Sequence, residues 1–115
     1  MYQKRKKREP SKKVARVSVN RRCEIAMNYA AWDKLDAPLI AELWYDRRER
    51  KIGIQVVPED EIENGFAVRK YGRSRGRVIR AAQFFKKYRI RVRKTLKIEN
   101  PPFEWGRMMV IPLKR

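Results

Sequence analysis

Residues 23–35 read CEIAMNYAAWDKL, and residues 76–88 repeat the same pattern as GRVIRAAQFFKKY. At this offset of 53 positions, from 23 to 76, the apolar matches are Ile25 with Val78, Trp32 with Phe85, Leu35 with Tyr88, Leu39 with Val92, Leu43 with Leu96 and Tyr45 with Ile98. After a turn that is four residues longer, Ile52, Ile54 and Val56 match Met109, Ile111 and Leu113. The sequence therefore predicts two related halves, residues 14–57 and 66–113, of a single barrel.

The first half predicts strands around one short helix. Residues 15–19 alternate small or apolar side chains with polar ones, which is typical of a half-buried strand. Asn28 is a good N-cap, because its side-chain oxygen can accept a hydrogen bond from the first helical turn. We predict strands at residues 15–19, 24–27, 39–45 and 52–57 and a two-turn helix at residues 29–35, with the last two strands forming a β-hairpin.

The second half predicts the same order of elements. Its first strand is predicted at residues 66–70, and the glycine-containing segment 71–76 is predicted as a turn. Ala81, Phe84, Phe85 and Tyr88 lie at helical spacing on one face, so a second helix is predicted there. Over residues 89–99, Ile90, Val92, Leu96 and Ile98 stand on one side against Arg89, Arg91, Arg93 and Lys97 on the other, which predicts a strand with an exposed basic face. We expect Trp32, Phe84 and Phe85 to pack in the core.

The two halves are expected to fold together as one domain. A half of this length buries too little surface to offset the chain entropy of folding. The acidic segment 58–65 has no hydrophobic period and is predicted to be the linker. Residues 1–13 are rich in Lys and Arg and have no apolar period, so we expect a disordered basic arm. The expected fold is mainly β with two short helices, an α+β domain over residues 14–115.

The first half resembles a known family. The segment NRRCEI at residues 20–25, the short helix, and the hairpin IAELWYD and KIGIQV at residues 40–46 and 51–56 resemble the AbrB/MazE-type, or SpoVT/AbrB-like, domain. In the second copy, GRV at residues 76–78 keeps the form typical of that family. The resemblance implies a swapped-hairpin β-barrel that binds DNA, as in transition-state regulators and antitoxins. With both copies on one chain, it implies an intrachain pseudo-dimer.

Charge independently indicates a polyanionic partner. The chain has 31 Lys and Arg residues against 13 Asp and Glu residues, a net charge of +18 that solubility does not require. We therefore predict nucleic-acid binding, with double-stranded DNA as the first candidate partner. Arginine suits this role because its planar fork can bridge guanine acceptors or phosphate oxygens. The predicted contacts are the barrel cations Arg16, Arg21, Arg22, Arg69, Lys70, Arg73, Arg75 and Arg77 and the arm cations Lys4, Arg5, Lys6, Lys7, Arg8, Lys12 and Lys13. The turns after the first strand of each half lie at equivalent positions in the repeat, so we expect Arg21 and Arg22 to lie beside Arg73 and Arg75 on one binding face.

Composition argues against catalysis. The chain has no histidine, so imidazole catalysis and histidine-ligated metal sites are excluded. Cys23 is the sole cysteine, which excludes an internal disulfide and is typical of a reducing compartment. We predict a protein that is not an enzyme and has no metal or cofactor. No apolar run is long enough for a membrane helix, and no secretory signal is visible, so we expect a cytoplasmic location, nucleoid-associated in a bacterium.

Two further functions remain open at this stage. An RNA-binding component of a ribonucleoprotein would use Arg89, Arg91 and Arg93 as a second phosphate-binding face, with Tyr71, Trp44 or Trp105 stacking on bases. An antitoxin of a toxin-antitoxin pair would need an apolar tail, and only Lys114 and Arg115 follow the last predicted strand. The oligomeric state is expected to be a monomeric pseudo-dimer or a homodimer.

Overall fold

The computed structural model describes residues 13–63, 65–104 and 108–113. It is mainly β with two short helices, and its strands form two antiparallel five-stranded sheets. The helices are α1 (Tyr29–Lys34) and α2 (Ala82–Lys87). The strands are β1 (Arg16–Val19), β2 (Glu24–Met27), β3 (Ile40–Asp46), β4 (Lys51–Gln55), β5 (Gly65–Ala67), β6 (Arg69–Lys70), β7 (Arg77–Arg80), β8 (Leu96–Glu99), β9 (Phe103–Glu104) and β10 (Met108–Pro112).

Both sheets combine strands from the two predicted halves. Sheet A has the order β6-β7-β2-β1-β8, and sheet B has the order β5-β3-β4-β10-β9. In sheet A, β2 of the first half pairs with β7 of the second, with Ile25 opposite Ile79. In sheet B, β4 pairs with β10, with Ile52 opposite Ile111. The halves are therefore interleaved and do not form two separate lobes.

The core lies where the inward faces of the strands and both helices meet. Ile25, Ile79, Ile52 and Met109 are fully buried in one apolar cluster that includes side chains from both sheets. Phe84 and Phe85 of α2 join this cluster, and Trp32 of α1 packs against it while partly exposed. The predicted core role of these three aromatic residues is confirmed.

The 53-residue offset persists in the geometry of the helix ends. Asp36 and Arg89 both have positive φ angles, of 68° and 56°. The amide after each of them bonds back into the helix: Ala37 N donates to Trp32 O and Ile90 N donates to Phe85 O. A left-handed residue followed by such a bond is a standard helix C-terminus. The sequence match between the halves is thus also a local structural match.

Two predicted strands are wrong in part. Residues 66–70 form two short strands, β5 in sheet B and β6 in sheet A, because the chain leaves one sheet for the other at Val68. Residues 89–95 are not a strand, since the left-handed Arg89 ends α2 and regular pairing begins only at Leu96. The alternation of apolar and basic residues still corresponds to burial in this segment, since Ile90 is buried and Arg89 and Arg91 are exposed.

The second half does not form the hairpin that its match to the first half implies. β8 pairs with β1, whereas β10 pairs with β4 and β9. The edges of sheet A are β6 and β8, and those of sheet B are β5 and β9, so neither sheet closes on itself. Residues 65–70 and 96–104 each run from the edge of one sheet to the edge of the other. The predicted linker contains one turn of 3-10 helix, Glu59–Glu61.

Candidate nucleic-acid interface

The outer side of sheet A carries a band of exposed cations. Directly paired residues in antiparallel strands share a face, and Val17, Ile25 and Ile79 point into the core. Residues of the opposite parity therefore point outward. We call this surface, together with the turns at residues 20–23 and 71–76 that adjoin it, the basic face. Its outward strand residues are Arg16, Ser18, Glu24, Ala26, Arg69, Val78, Arg80, Lys97 and Glu99, of which Val78 is buried.

The two predicted binding turns lie at opposite ends of this face. The turn at residues 20–23 leads into Glu24, which pairs with Arg80, the last residue of β7. The turn at residues 71–76 leads into Arg77, which pairs with Met27, the last residue of β2. The expectation that Arg21 and Arg22 lie beside Arg73 and Arg75 is therefore wrong. The antiparallel pairing of β2 with β7 separates them by the length of the strands.

Asn20 shapes the first of these turns. Its side-chain oxygen accepts hydrogen bonds from the backbone amides of Arg22 and Glu24, at 2.8 and 3.1 Å. This is the local bonding that makes asparagine a turn residue. Cys23 takes a positive φ of 63° to complete the turn. Arg21 and Arg22 are left exposed at the tip.

Glu24 links this turn to the neighbouring strand. Its carboxylate accepts a hydrogen bond from Asn20 Nδ2 at 2.9 Å and lies 3.8 Å from Arg22 Nε and 3.5 Å from Arg80 Nε. The Asn20 hydrogen bond, followed by the two arginines, lowers the pKa of Glu24 below 4.5, and burial opposes this only in part. The carboxylate therefore stays ionised and orients the two guanidinium groups on the basic face.

Ser74 shapes the second turn. Its hydroxyl donates to Tyr71 O at 2.8 Å and accepts from Gly76 N at 3.1 Å. Gly72 adopts a positive φ of 60°, which glycine accommodates without steric cost. Arg73 and Arg75 are exposed on this turn.

Two arginines of the second half lie on aromatic rings of α1. The guanidinium carbon of Arg75 is 4.2 Å from the ring centroid of Tyr29, and that of Arg77 is 3.8 Å from the centroid of Trp32. Arg77 also donates to the carbonyls of Arg75 and Gly76 at 2.7 and 3.0 Å. Arg77 therefore braces the turn against α1, a packing role that differs from the predicted contact with nucleic acid.

Two recesses lie side by side on the basic face and share the small residues Ser18 and Ala26. The first, of about 660 Å³, is bordered by Arg16, Arg75 and Lys97, and the second, of about 640 Å³, by Arg21, Arg22 and Thr95. Tyr71 lines both recesses and is 42% exposed. The two separated turns thus border one continuous surface, with an aromatic ring between its two hollows.

The remaining predicted residues are placed as follows. Arg16, Arg69, Lys70 and Lys13 are exposed, and Arg16 Nε lies 3.3 Å from Glu99 Oε2. The arm cations Lys4, Arg5, Lys6, Lys7, Arg8 and Lys12 lie outside the described residues, as does Trp105. Arg89, Arg91 and Arg93 are exposed on the irregular segment after α2, and Trp44 is exposed on sheet B.

Two cations of the basic face, Arg80 and Lys97, are absent from the residues predicted from the sequence. The basic alternation before Glu99 signalled Lys97, whereas only the pairing with Glu24 reveals Arg80.

Exposed guanidinium and ammonium groups surround a ring and a floor of small residues, an arrangement suited to phosphates and bases. Within residues 13–63, 65–104 and 108–113, no group of three or more Cys, Asp or Glu side chains is placed to hold a metal ion. In the same residues no helix is long and apolar enough to cross a membrane.

Comparison with protein-family models, with curated proteins and with solved structures finds no match to this chain.

Proposed function

We propose that this protein is a nucleic-acid-binding protein, a DNA-binding transcription regulator or nucleoid-type protein without catalytic activity. The basic face would bind backbone phosphates, and the cationic N-terminal residues would add further contacts. We also propose a cytoplasmic location, which the single cysteine supports. The observation that carries the proposal is the uneven distribution of charge between the two sheets.

The strands of sheet A present more cations than acids to the outside. Their outward cations are Arg16, Arg69, Arg80 and Lys97, and their outward acids are Glu24 and Glu99. The outward face of sheet B reverses the balance, with Glu42, Asp46 and Glu104 against Lys51. Among the strand residues, the outward excess of cations therefore lies on sheet A, and such an excess would steer a polyanion to that side.

The pairing of the two halves supports the AbrB-like swapped-hairpin barrel as the proposed architecture. Ile25 opposite Ile79 in sheet A and Gly53 opposite Val110 in sheet B lie at the centres of strand pairs that join equivalent strands of the two halves. Such pairing places a local two-fold axis through each sheet. In this proposal the chain is a pseudo-dimer, and the runs of chain that pass between sheets at both edges close the barrel.

The test compares pairs of arginines that carry equal charge. We expect Arg21→Ala with Arg22→Ala, and Arg73→Ala with Arg75→Ala, each to weaken binding of a labelled DNA several-fold at fixed salt. The matched control is Arg47→Ala with Arg48→Ala, which removes the same charge from exposed positions on the β3–β4 turn of sheet B. Fluorescence anisotropy gives the dissociation constants, and circular dichroism confirms that each variant folds.

If all three double variants lose the same affinity, net charge alone explains binding, and the basic face is not a defined docking surface. If the unmodified protein does not bind nucleic acid at low salt, the proposed function is wrong. The salt concentration is held constant throughout, because phosphate contacts make affinity strongly salt-dependent.

A further inference from the structure

We propose that the basic face takes a single-stranded segment of nucleic acid, with a base stacked on the ring of Tyr71. This inference rests on the proposed nucleic-acid binding at the basic face and changes the preferred form of the ligand from duplex to single strand. Duplex DNA would reach the same cations through its phosphates alone and bind more weakly, because its bases are already stacked and paired.

Tyr71 is held in place by its backbone while its ring stays available. Its amide donates to Gly76 O at 3.1 Å, and its carbonyl accepts from Ser74 N at 3.2 Å and Ser74 Oγ at 2.8 Å. Among the described residues, its ring contacts no other aromatic ring and its hydroxyl has no hydrogen-bond partner. An exposed ring on a fixed turn loses little conformational freedom when a base stacks on it.

The surface around Tyr71 leaves room for bases. Ser18 and Ala26 form a shared floor of small side chains, and hollows of about 660 and 640 Å³ adjoin the tyrosine. Hollows of this size are within the range of sites that hold small organic ligands. An aromatic ring bordered by two such hollows can stack with bases of a strand that crosses the face.

Cations border each hollow, where a single-stranded nucleic acid would place its phosphates. Arg16, Arg75 and Lys97 border the first hollow together with Glu99, whose carboxylate pairs with Arg16, and Arg21 and Arg22 border the second. The guanidinium carbon of Arg75 lies over the ring of Tyr29, 4.2 Å from its centroid, and this contact restricts where the guanidinium group can lie. A cationic groove combined with a stacking ring is the arrangement that binds single strands with little sequence preference.

The experiment measures affinity for a single-stranded DNA, a single-stranded RNA of the same sequence and the matching DNA duplex. Each carries the same label and is titrated at the same salt concentration. The full chain is compared with Tyr71→Leu, which removes the aromatic ring, and with Tyr71→Phe, which retains it. Trp44→Leu is the matched control, since Trp44 is 52% exposed on the outward face of sheet B.

We expect Tyr71→Leu to weaken single-strand binding about tenfold, within the range for loss of one base-aromatic stack, and duplex binding less than twofold. Tyr71→Phe and Trp44→Leu should bind as the unmodified protein does. The DNA and RNA arms show which kind of strand is preferred.

Three outcomes would overturn the inference. They are an unchanged single-strand affinity in Tyr71→Leu, an equal loss for single strand and duplex, and an equal loss in Trp44→Leu. If the arginine pairs still control binding in that case, the proposed function stands without the stacking site. If the unmodified protein binds none of the three probes, both proposals fail.

Discussion

Ile25 of β2 lies directly opposite Ile79 of β7 at the centre of sheet A, and both side chains are fully buried. One belongs to the first half of the chain and the other to the second. The same joining of halves recurs where β1 pairs with β8 and β4 pairs with β10. Neither half can therefore satisfy its strand hydrogen bonds or bury its apolar face without the other.

Residues 14–57 alone should be unfolded or should self-associate. Without their partners, β2 and β4 would each expose a row of unpaired backbone groups beside apolar residues. Residues 14–115 should unfold cooperatively as one unit. Sedimentation and urea unfolding followed by circular dichroism check both fragments. A stable monomeric 14–57 with a cooperative transition would contradict the pseudo-dimer.

Replacing Arg77 should destabilise the protein through lost packing on Trp32. We expect Arg77→Lys to lower the free energy of unfolding by about 1 kcal/mol, because an ammonium group cannot reproduce both the contact of the guanidinium group with the ring and its two hydrogen bonds. Arg73→Lys keeps the same charge on the same turn and should have no effect. Urea denaturation of both variants provides the comparison, and equal stability would show that the ring contact contributes nothing measurable.

Asn28 should be more costly to replace than an ordinary N-cap. Its side-chain oxygen accepts from Ala31 N at 2.9 Å and Arg16 N at 3.0 Å, while its Nδ2 donates to Val14 O at 2.8 Å. We expect Asn28→Ala to cost about 2 kcal/mol, against roughly 1 kcal/mol for a typical cap. Asn28→Asp keeps both accepted bonds, so its cost should be about half as large. Thermal unfolding at constant pH measures the stability of both variants. A negligible effect of Asn28→Ala would show that these three hydrogen bonds do not contribute to stability.

Glu24 should make stability depend on pH in the acid range. Its pKa in the folded protein is below the ordinary value of 4.5, first because of Asn20 and then because of Arg22 and Arg80. A depressed carboxyl pKa stabilises the fold above pH 4.5, and this contribution is lost as the pH falls through the folded value. Glu24→Gln should therefore be less stable than the unmodified protein at pH 7, and the difference should shrink in acid. Melting temperatures of both proteins from pH 7 into the acid range test this dependence. A difference in melting temperature that does not change with pH would contradict it.

The N-terminal cations should contribute to the salt dependence of binding. If the arm and the basic face together neutralise on the order of six phosphates, affinity for duplex DNA should fall about a thousandfold between 50 and 200 mM salt. Deleting residues 1–13 should weaken binding to all sequences alike and flatten the logarithmic slope. Titrations at several salt concentrations measure that slope, and an unchanged slope would show that these residues do not contact phosphates.

Local patterns predicted most of the individual elements. The alternation in residues 15–19 and the cap at Asn28 correspond to β1 and to the start of α1, where Asn28 Oδ1 accepts from the helix. The segment after α2 was harder to predict. Alternation along residues 89–99 reports which side chains are buried, and an irregular chain lying over the core produces the same pattern as a strand.

The sequence by itself determined the short-range features: the two helices, most of the strands, the turns built by Asn20 and Gly72, and the large excess of cations. These follow from side-chain periodicity and from bonds between residues close in the chain. Only the tertiary structure decided that β8 joins β1, that Arg80 meets Glu24, and that the two arginine turns lie at opposite ends of one face. Strand partners are chosen by burial of apolar surface across long sequence separations, and periodicity within a single segment carries no information about which partner is chosen.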